Sequence, residues 1–88
     1  MARREDIDLQ LRERLAAWVR YYRAVRNMTH EAMADALGLS TPTVTNIVNG
    51  VRTPGLEVLA RMHRVFHIRA DELLDTDPPP LPEIKRPA

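Results

Sequence analysis

The sequence contains no cysteine and no long apolar run near its start. Without thiols, neither disulfides nor thiolate metal sites can form. The opening residues, MARREDIDLQ, are polar and offer no signal or membrane segment, so we expect a cytoplasmic protein with no membrane partner. A nucleophile–base pair, a metal-ligating cluster and a phosphate-cradling glycine loop are also missing from the sequence. It therefore predicts a protein that is not an enzyme and that holds no metal or other cofactor.

The net charge is small and unevenly distributed. It amounts to +1 over 88 residues. Residues 9–70 hold nine arginines against four acidic residues and so carry +5, whereas residues 1–8 carry −1 and residues 71–88 carry −3. A basic middle is compatible with phosphate binding, but arginine-rich helices are often only solvated surfaces. Charge by itself leaves both interpretations open.

The chain is long enough for one small domain. A domain of this size buries only about 60% of its unfolded surface, so a second copy would help to stabilise it. We expect a flexible N-terminus over residues 1–8, a helical domain over residues 9–76 and an extended tail over residues 77–88. The tail is predicted from composition, because five of the seven prolines lie at or after residue 78. Pro79 and Pro82 also fit a Pro-x-x-Pro ligand pattern, although a spacer or a wrapping arm is the simpler interpretation.

Residues 29–50, THEAMADALGLSTPTVTNIVNG, have the pattern of two short helices joined by a tight turn. Thr29 can cap the first helix and Ser40 the second through their hydroxyls. Pro42 is tolerated there, because the amides of a first helical turn have no intrahelical partners to lose. Gly38 is suited to a left-handed stop between the two helices.

The apolar spacing in this stretch is typical of a helix-turn-helix. Ala34 allows the two helices to cross closely, and Val44 and Ile47 face back into the crossing. The opposite face of the second helix is then free to meet something outside the protein. In a helix-turn-helix, that face enters the major groove of DNA.

Three runs of residues make this pattern specific. They are Met28-Thr29-His30-Glu31-Ala32-Met33-Ala34, Leu37-Gly38-Leu39-Ser40 and Val44-Thr45-Asn46-Ile47-Val48-Asn49-Gly50. Together with the residues up to Leu73-Leu74, they resemble the lambda-repressor-like (XRE) family over roughly residues 11–74. The resemblance implies an all-α, compact five-helix DNA-binding domain in which helices 2 and 3 form the helix-turn-helix. It also implies double-stranded DNA as the partner and a bacterial or phage protein associated with the nucleoid.

The outer face of the second helix carries short side chains that suit base edges. The predicted base contacts are Thr41, Pro42, Thr45 and Asn46. Asparagine pairs best with adenine, and the threonine methyls and the proline ring suit a thymine methyl, so we expect an A·T-containing half-site. The alternative for each of them is a polar residue on an exposed helix face.

A second set of residues is predicted to contact phosphates, which positions a protein on DNA without specifying sequence. The set consists of Thr29, His30, Ser40, Thr43, Asn49 and Arg52. His30 is included by resemblance, because the family usually has a phosphate-gripping glutamine at this place. Arg52 lies in the loop after the second helix and is the natural clamp on the DNA backbone. The alternatives are a surface histidine and a solvated loop arginine.

Arg23 occupies a place where the resemblance implies an internal pair with a glutamate. The position of that glutamate is Val48 here, so the usual partner is missing. A buried arginine without a partner is costly. We therefore expect Arg23 to reach solvent, a helix C-terminal carbonyl, Asn49 or a phosphate.

Apolar side chains at helical spacing predict the core. On the first helix they are Leu11, Leu15, Trp18, Val19, Tyr22 and Val25, and on the fourth helix and its exit they are Leu56, Leu59, Met62, Phe66 and Ile68. In a short fifth helix, one of Leu73 and Leu74 is expected to close the core and the other to contact a second copy. His67 is expected to end the fourth helix in a conformation that is often taken by glycine.

The sequence thus predicts a transcriptional repressor that binds a palindromic operator as a homodimer, with the Ser40–Asn49 helix in the major groove. A phage-type repressor, a restriction-modification controller and an antitoxin stay open, and a separate regulatory or toxin protein is a possible partner. The alternative from another class is a protein-interaction module that has lost DNA binding. Val48 in place of glutamate, the short recognition side chains and the modest charge favour that alternative slightly.

Overall fold

The computed structural model describes residues 4–81 of the chain, and side chains from residue 7 onwards. It has five helices: α1 (Arg4–Val25), α2 (His30–Leu37), α3 (Thr41–Val48), α4 (Leu56–Phe66) and α5 (Ala70–Asp75). The part of the chain described is all-α, as predicted. Helix α3 packs against α1 and α2, α4 packs against α2 and α5, and α5 returns to α1.

Helix α1 begins at Arg4, inside the segment 1–8 that the sequence predicts to be flexible. It runs for 22 residues. Within this range, none of the helices combines the length and the apolar character that crossing a membrane requires.

The core lies where the five helices meet. Its buried hydrophobic residues are Leu15, Ala16, Trp18, Val19, Met33, Ala34, Leu37, Val44, Ile47, Val48, Met62, Phe66, Ile68 and Leu73. Burying a side chain of the size of leucine or methionine contributes about 1.5–3 kcal/mol, so this cluster is the main source of stability. Leu73 is the leucine of α5 that closes the core, whereas Leu74 is half-buried.

Two residues predicted for the core are instead exposed. Leu56 is 84% exposed and Val25 is 48% exposed. Both stand at an end of their helix, α4 and α1 respectively, and the apolar stripe of each helix extends past the edge of the core at that end. Helical spacing shows which residues share a face, but it does not show how far along that face the neighbouring helices reach.

The helix ends of the motif are built as the sequence predicts. The hydroxyl of Thr29 accepts a hydrogen bond from the backbone amide of Ala32 at 3.0 Å. The hydroxyl of Ser40 accepts one from the amide of Thr43 at 3.3 Å. Gly38 has φ +68°, in the left-handed region that ends α2.

The end of α4 uses two histidines. His67 has φ +57°, which confirms the left-handed conformation expected there. Nδ1 of His63 donates to the carbonyl of Ile68 at 2.6 Å, so this ring closes the turn that follows α4. Both histidines therefore take part in the geometry of the chain between α4 and α5.

The start of the tail is attached to α1. The indole Nε1 of Trp18 donates to the carbonyl of Thr76 at 2.7 Å, and Arg14 donates to the carbonyl of Leu74 at 2.6 Å. Arg14 also contacts the carboxylate of Asp77 at 3.3 Å. The residues from 77 to 81 have no regular secondary structure, and the rest of the predicted extended tail, residues 82–88, lies outside the described residues.

Candidate nucleic-acid interface

Helix α3 is held in the protein by one side only. Val44, Ile47 and Val48 are 0%, 2% and 7% exposed and pack in the core. Pro42 and Asn46, on the other side of the helix, are exposed. A recognition helix requires this division, because its inner face fixes its angle while its outer face stays available.

The four predicted base contacts are not equivalent in the structure. Pro42 and Asn46 are exposed, and Thr41 is half-buried at the first turn of α3. Thr45 is also half-buried, and its Oγ1 lies 3.2 Å from Nδ1 of His30 at the start of α2. Three of the four side chains thus have no hydrogen bond within residues 7–81, whereas the hydroxyl of Thr45 already has a partner.

The hydroxyls predicted for phosphates lie at the starts of α2 and α3. Oγ of Ser40 and Oγ1 of Thr43 are 2.6 Å apart and share a hydrogen bond. One hydroxyl hydrogen of this pair is therefore left for a phosphate oxygen. Thr29 uses its oxygen as a cap acceptor, which leaves its hydroxyl hydrogen free to donate.

Thr43 and Arg52 are brought to the same groove. This groove, of about 470 Å³, lies between α3 and the loop before α4, with Thr53 and Pro54 on the loop side. Arg52 and Asn49 are both exposed. Two of the predicted phosphate contacts thus come from different elements and line the same groove.

The sequence interpretation missed the contact that holds the C-terminus of α3. Nη2 of Arg20 donates to the carbonyl of Val48, the last residue of α3. A cation at a helix C-terminus interacts favourably with the helix dipole and satisfies a carbonyl that has no partner inside the helix. The sequence carries no local signal for this contact, because Arg20 and Val48 are 28 positions apart.

As predicted, Arg23 does not pair with a carboxylate in the part of the chain that the structure describes. It is half-buried, and among residues 7–81 no carboxylate oxygen lies within 4.0 Å of it. The guanidinium that reaches the end of α3 is that of Arg20, one turn earlier on α1. Because Arg20 binds the backbone carbonyl of residue 48 and not its side chain, an apolar valine can occupy this position.

The fold and the outer face of α3 define a helix-turn-helix module of the DNA-binding class. A helix-turn-helix family model matches residues 19–73, which include α2, α3 and α4 completely. The chain belongs to the lambda-repressor-like (XRE) helix-turn-helix family. This membership makes it a DNA-binding regulator rather than an enzyme.

A curated relative covers the same part of the chain. Over 55 residues the chain is 31% identical to an uncharacterized HTH-type transcriptional regulator of Methanocaldococcus jannaschii. The match spans 62% of this chain and 83% of that protein. No solved structure matches the chain significantly.

Proposed function

We propose that this regulator is a repressor that binds a roughly palindromic operator as a homodimer, with one α3 in the major groove of each half-site. The observation that carries the proposal is the exposed outer face of α3, because Asn46 and Pro42 have no role in the core. Two recognition helices on successive turns of one side of DNA are about 34 Å apart, which is the spacing expected between the half-sites.

The residues around α3 divide into two roles. Thr41, Pro42 and Asn46 read base edges, with the amide of Asn46 paired to an adenine. Phosphate contacts come from Thr29, Ser40, Thr43, Asn49 and Arg52 at the rim of that face, with His30 at the start of α2. Repression follows if the bound dimer covers the site that polymerase needs.

Two apolar residues are candidates for the contact between the two copies of the homodimer. Leu74 of α5 is half-buried, and Leu56 at the start of α4 is 84% exposed. A second copy would cover apolar surface that a small domain leaves in water. Replacement of either leucine by lysine tests whether it lies in the dimer contact, with mass measured by light scattering.

Titration against DNA tests the proposal as a whole. The full chain is titrated by fluorescence anisotropy against the duplex upstream of its own gene and a scrambled duplex, at two salt concentrations. We expect preference for one duplex, with Asn46→Ala weakening only that specific complex by about tenfold. Arg52→Ala should weaken both complexes and reduce the salt slope by about one.

Arg64→Ala is the matched control for the arginine change. Arg64 is exposed on α4 and has no ion pair within residues 7–81, so its removal should leave the operator complex nearly unchanged. If the two duplexes bind equally and a selection from random DNA sequences finds no preferred site, the repressor proposal is wrong. The protein-interaction module then becomes the better explanation of the exposed face.

A further inference from the structure

The hydrogen bond between His30 and Thr45 joins the two helices of the motif. Nδ1 of His30 and Oγ1 of Thr45 are 3.2 Å apart, and both residues are half-buried. His30 is the first residue of α2 and Thr45 is near the middle of α3. The contact therefore links a predicted phosphate residue to a predicted base-reading residue.

The chemistry of the two groups decides what this contact does. A neutral imidazole has one N–H donor and one acceptor nitrogen, and a hydroxyl has one hydrogen to donate. If Thr45 donates to Nδ1, the imidazole hydrogen is on Nε2. The two ring nitrogens point in diverging directions, so a ring with Nδ1 facing α3 turns Nε2 away from α3. Within residues 7–81, the bond to Thr45 is the only hydrogen bond that the His30 ring forms.

We propose that Thr45 is a positioning residue that acts through His30 and does not read a base. Its hydroxyl orients the imidazole so that Nε2–H donates to a DNA phosphate. This proposal rests on the proposed DNA-binding function and changes the role of one residue in it. Its physical basis is that a hydroxyl hydrogen, once donated to Nδ1 of His30, cannot also be donated to a base.

Around the helix-turn-helix, charged groups come from three parts of the fold. On α2, Glu31 and Asp35 are exposed, and α3 contains no titratable side chain. On α4, Glu57 and Arg61 pair with each other at 2.7 Å. At the end of α1 and just beyond it the cations are Arg23 and Arg26, and Arg26 lies over the ring of Phe66. Within residues 7–81, none of these groups forms an ion pair with His30.

Protonation of the ring gives the proposal a distinctive signature. Histidine is the side chain that commonly changes charge between pH 5 and 8. An imidazolium donates from both nitrogens and attracts a phosphate in either ring orientation. It therefore needs Thr45 less than the neutral ring does. Loss of the Thr45 hydroxyl should weaken DNA binding strongly at pH 8 and only slightly at pH 5.5.

The test compares Thr45→Val with Thr45→Ser in the full chain. Both are titrated against the operator duplex and the scrambled duplex at pH 8 and pH 5.5. At pH 8 we expect Thr45→Val to weaken both complexes by about tenfold, since the misoriented ring no longer donates its Nε2–H to the charged phosphate. At pH 5.5 we expect a loss of about twofold. Thr45→Ser keeps the hydroxyl and should bind like the wild type.

A double-mutant cycle shows whether Thr45 acts through His30. In a His30→Ala background, Thr45→Val should have almost no further effect on affinity. If Thr45→Val has its full effect in the His30→Ala background, the positioning role is wrong and Thr45 reads a base. The same conclusion follows if Thr45→Val weakens only the operator complex. An equal loss at pH 8 and pH 5.5 would also contradict the proposal. Thr45→Ala replaces Thr45→Val if circular dichroism shows that the valine variant is unfolded.

Failure of this inference can be distinguished from failure of the repressor proposal. A wild-type protein that prefers no duplex contradicts sequence-specific binding, yet its weak binding to any duplex still reports on phosphate contacts. Conversely, a clear operator preference with no dependence of the Thr45→Val effect on pH contradicts only the role assigned to Thr45.

Discussion

Each helix of the motif is followed by a left-handed glycine, which directly ends α2 and comes one residue after the cap Asn49 of α3, and the two glycines have different surroundings. Gly38 after α2 and Gly50 after α3 have φ +68° and +66°. A Cβ added at Gly38 would lie 2.5 Å from Nη1 of Arg61, whereas a Cβ added at Gly50 would meet nothing within 4 Å. The same conformation thus occurs once beside the guanidinium of Arg61, the crowded end, and once with open space beside it, the open end.

An arginine from another helix holds each of these ends. Arg61 of α4 donates to the carbonyl of Leu37 at 3.0 Å, and Arg20 of α1 donates to the carbonyl of Val48. The end of α2 determines how α2 meets α3 and α4. The end of α3 determines where the loop with Arg52 leaves the recognition helix. The first end is therefore mainly structural, and the second is closer to DNA binding.

The largest effect is expected at the crowded end. Gly38→Ala should lower the free energy of unfolding by about 1.5–2 kcal/mol, because a left-handed alanine is strained and the Arg61 guanidinium must move from the carbonyl of Leu37. Urea unfolding followed by circular dichroism measures this loss. A loss below that of Gly50→Ala would show that the crowding at Gly38 is unimportant.

A smaller effect is expected at the open end. Gly50→Ala should cost about 1 kcal/mol, since backbone strain is its only penalty. Gly50→Asn is the matched control, because asparagine tolerates the left-handed conformation better than alanine does. It should recover part of the lost stability. Equal unfolding free energies for the alanine and asparagine variants would be evidence against strain as the cause.

The smallest effects are expected for the two arginines, and they should differ in kind. Arg20→Ala and Arg61→Ala should each lower the free energy of unfolding by about 0.5–1 kcal/mol, because both guanidinium groups are partly in water. Only Arg20→Ala should also weaken binding to both the operator and the scrambled duplex, by a few-fold in anisotropy titrations. A similar loss of DNA affinity in Arg61→Ala would remove the distinction between the two ends.

Much of the motif could be predicted because its signals are local. The caps at Thr29 and Ser40 and the left-handed Gly38 each depend on residues that are within four positions along the chain. The buried face of α3 follows from the spacing of Val44 and Ile47, and the helical spacing is the same wherever the helix lies. These features needed no knowledge of the remaining helices.

The sequence by itself therefore determined the helical architecture, the caps of α2 and α3 and the face of α3 that turns outward. Only the tertiary structure decided that Leu56 lies beyond the core, that Arg20 rather than Arg23 reaches the end of α3, and that the hydroxyl of Thr45 is bonded to His30. The physical reason is range. Caps and periodicity act within one or two helical turns, whereas these three outcomes depend on where separate helices come to lie against one another.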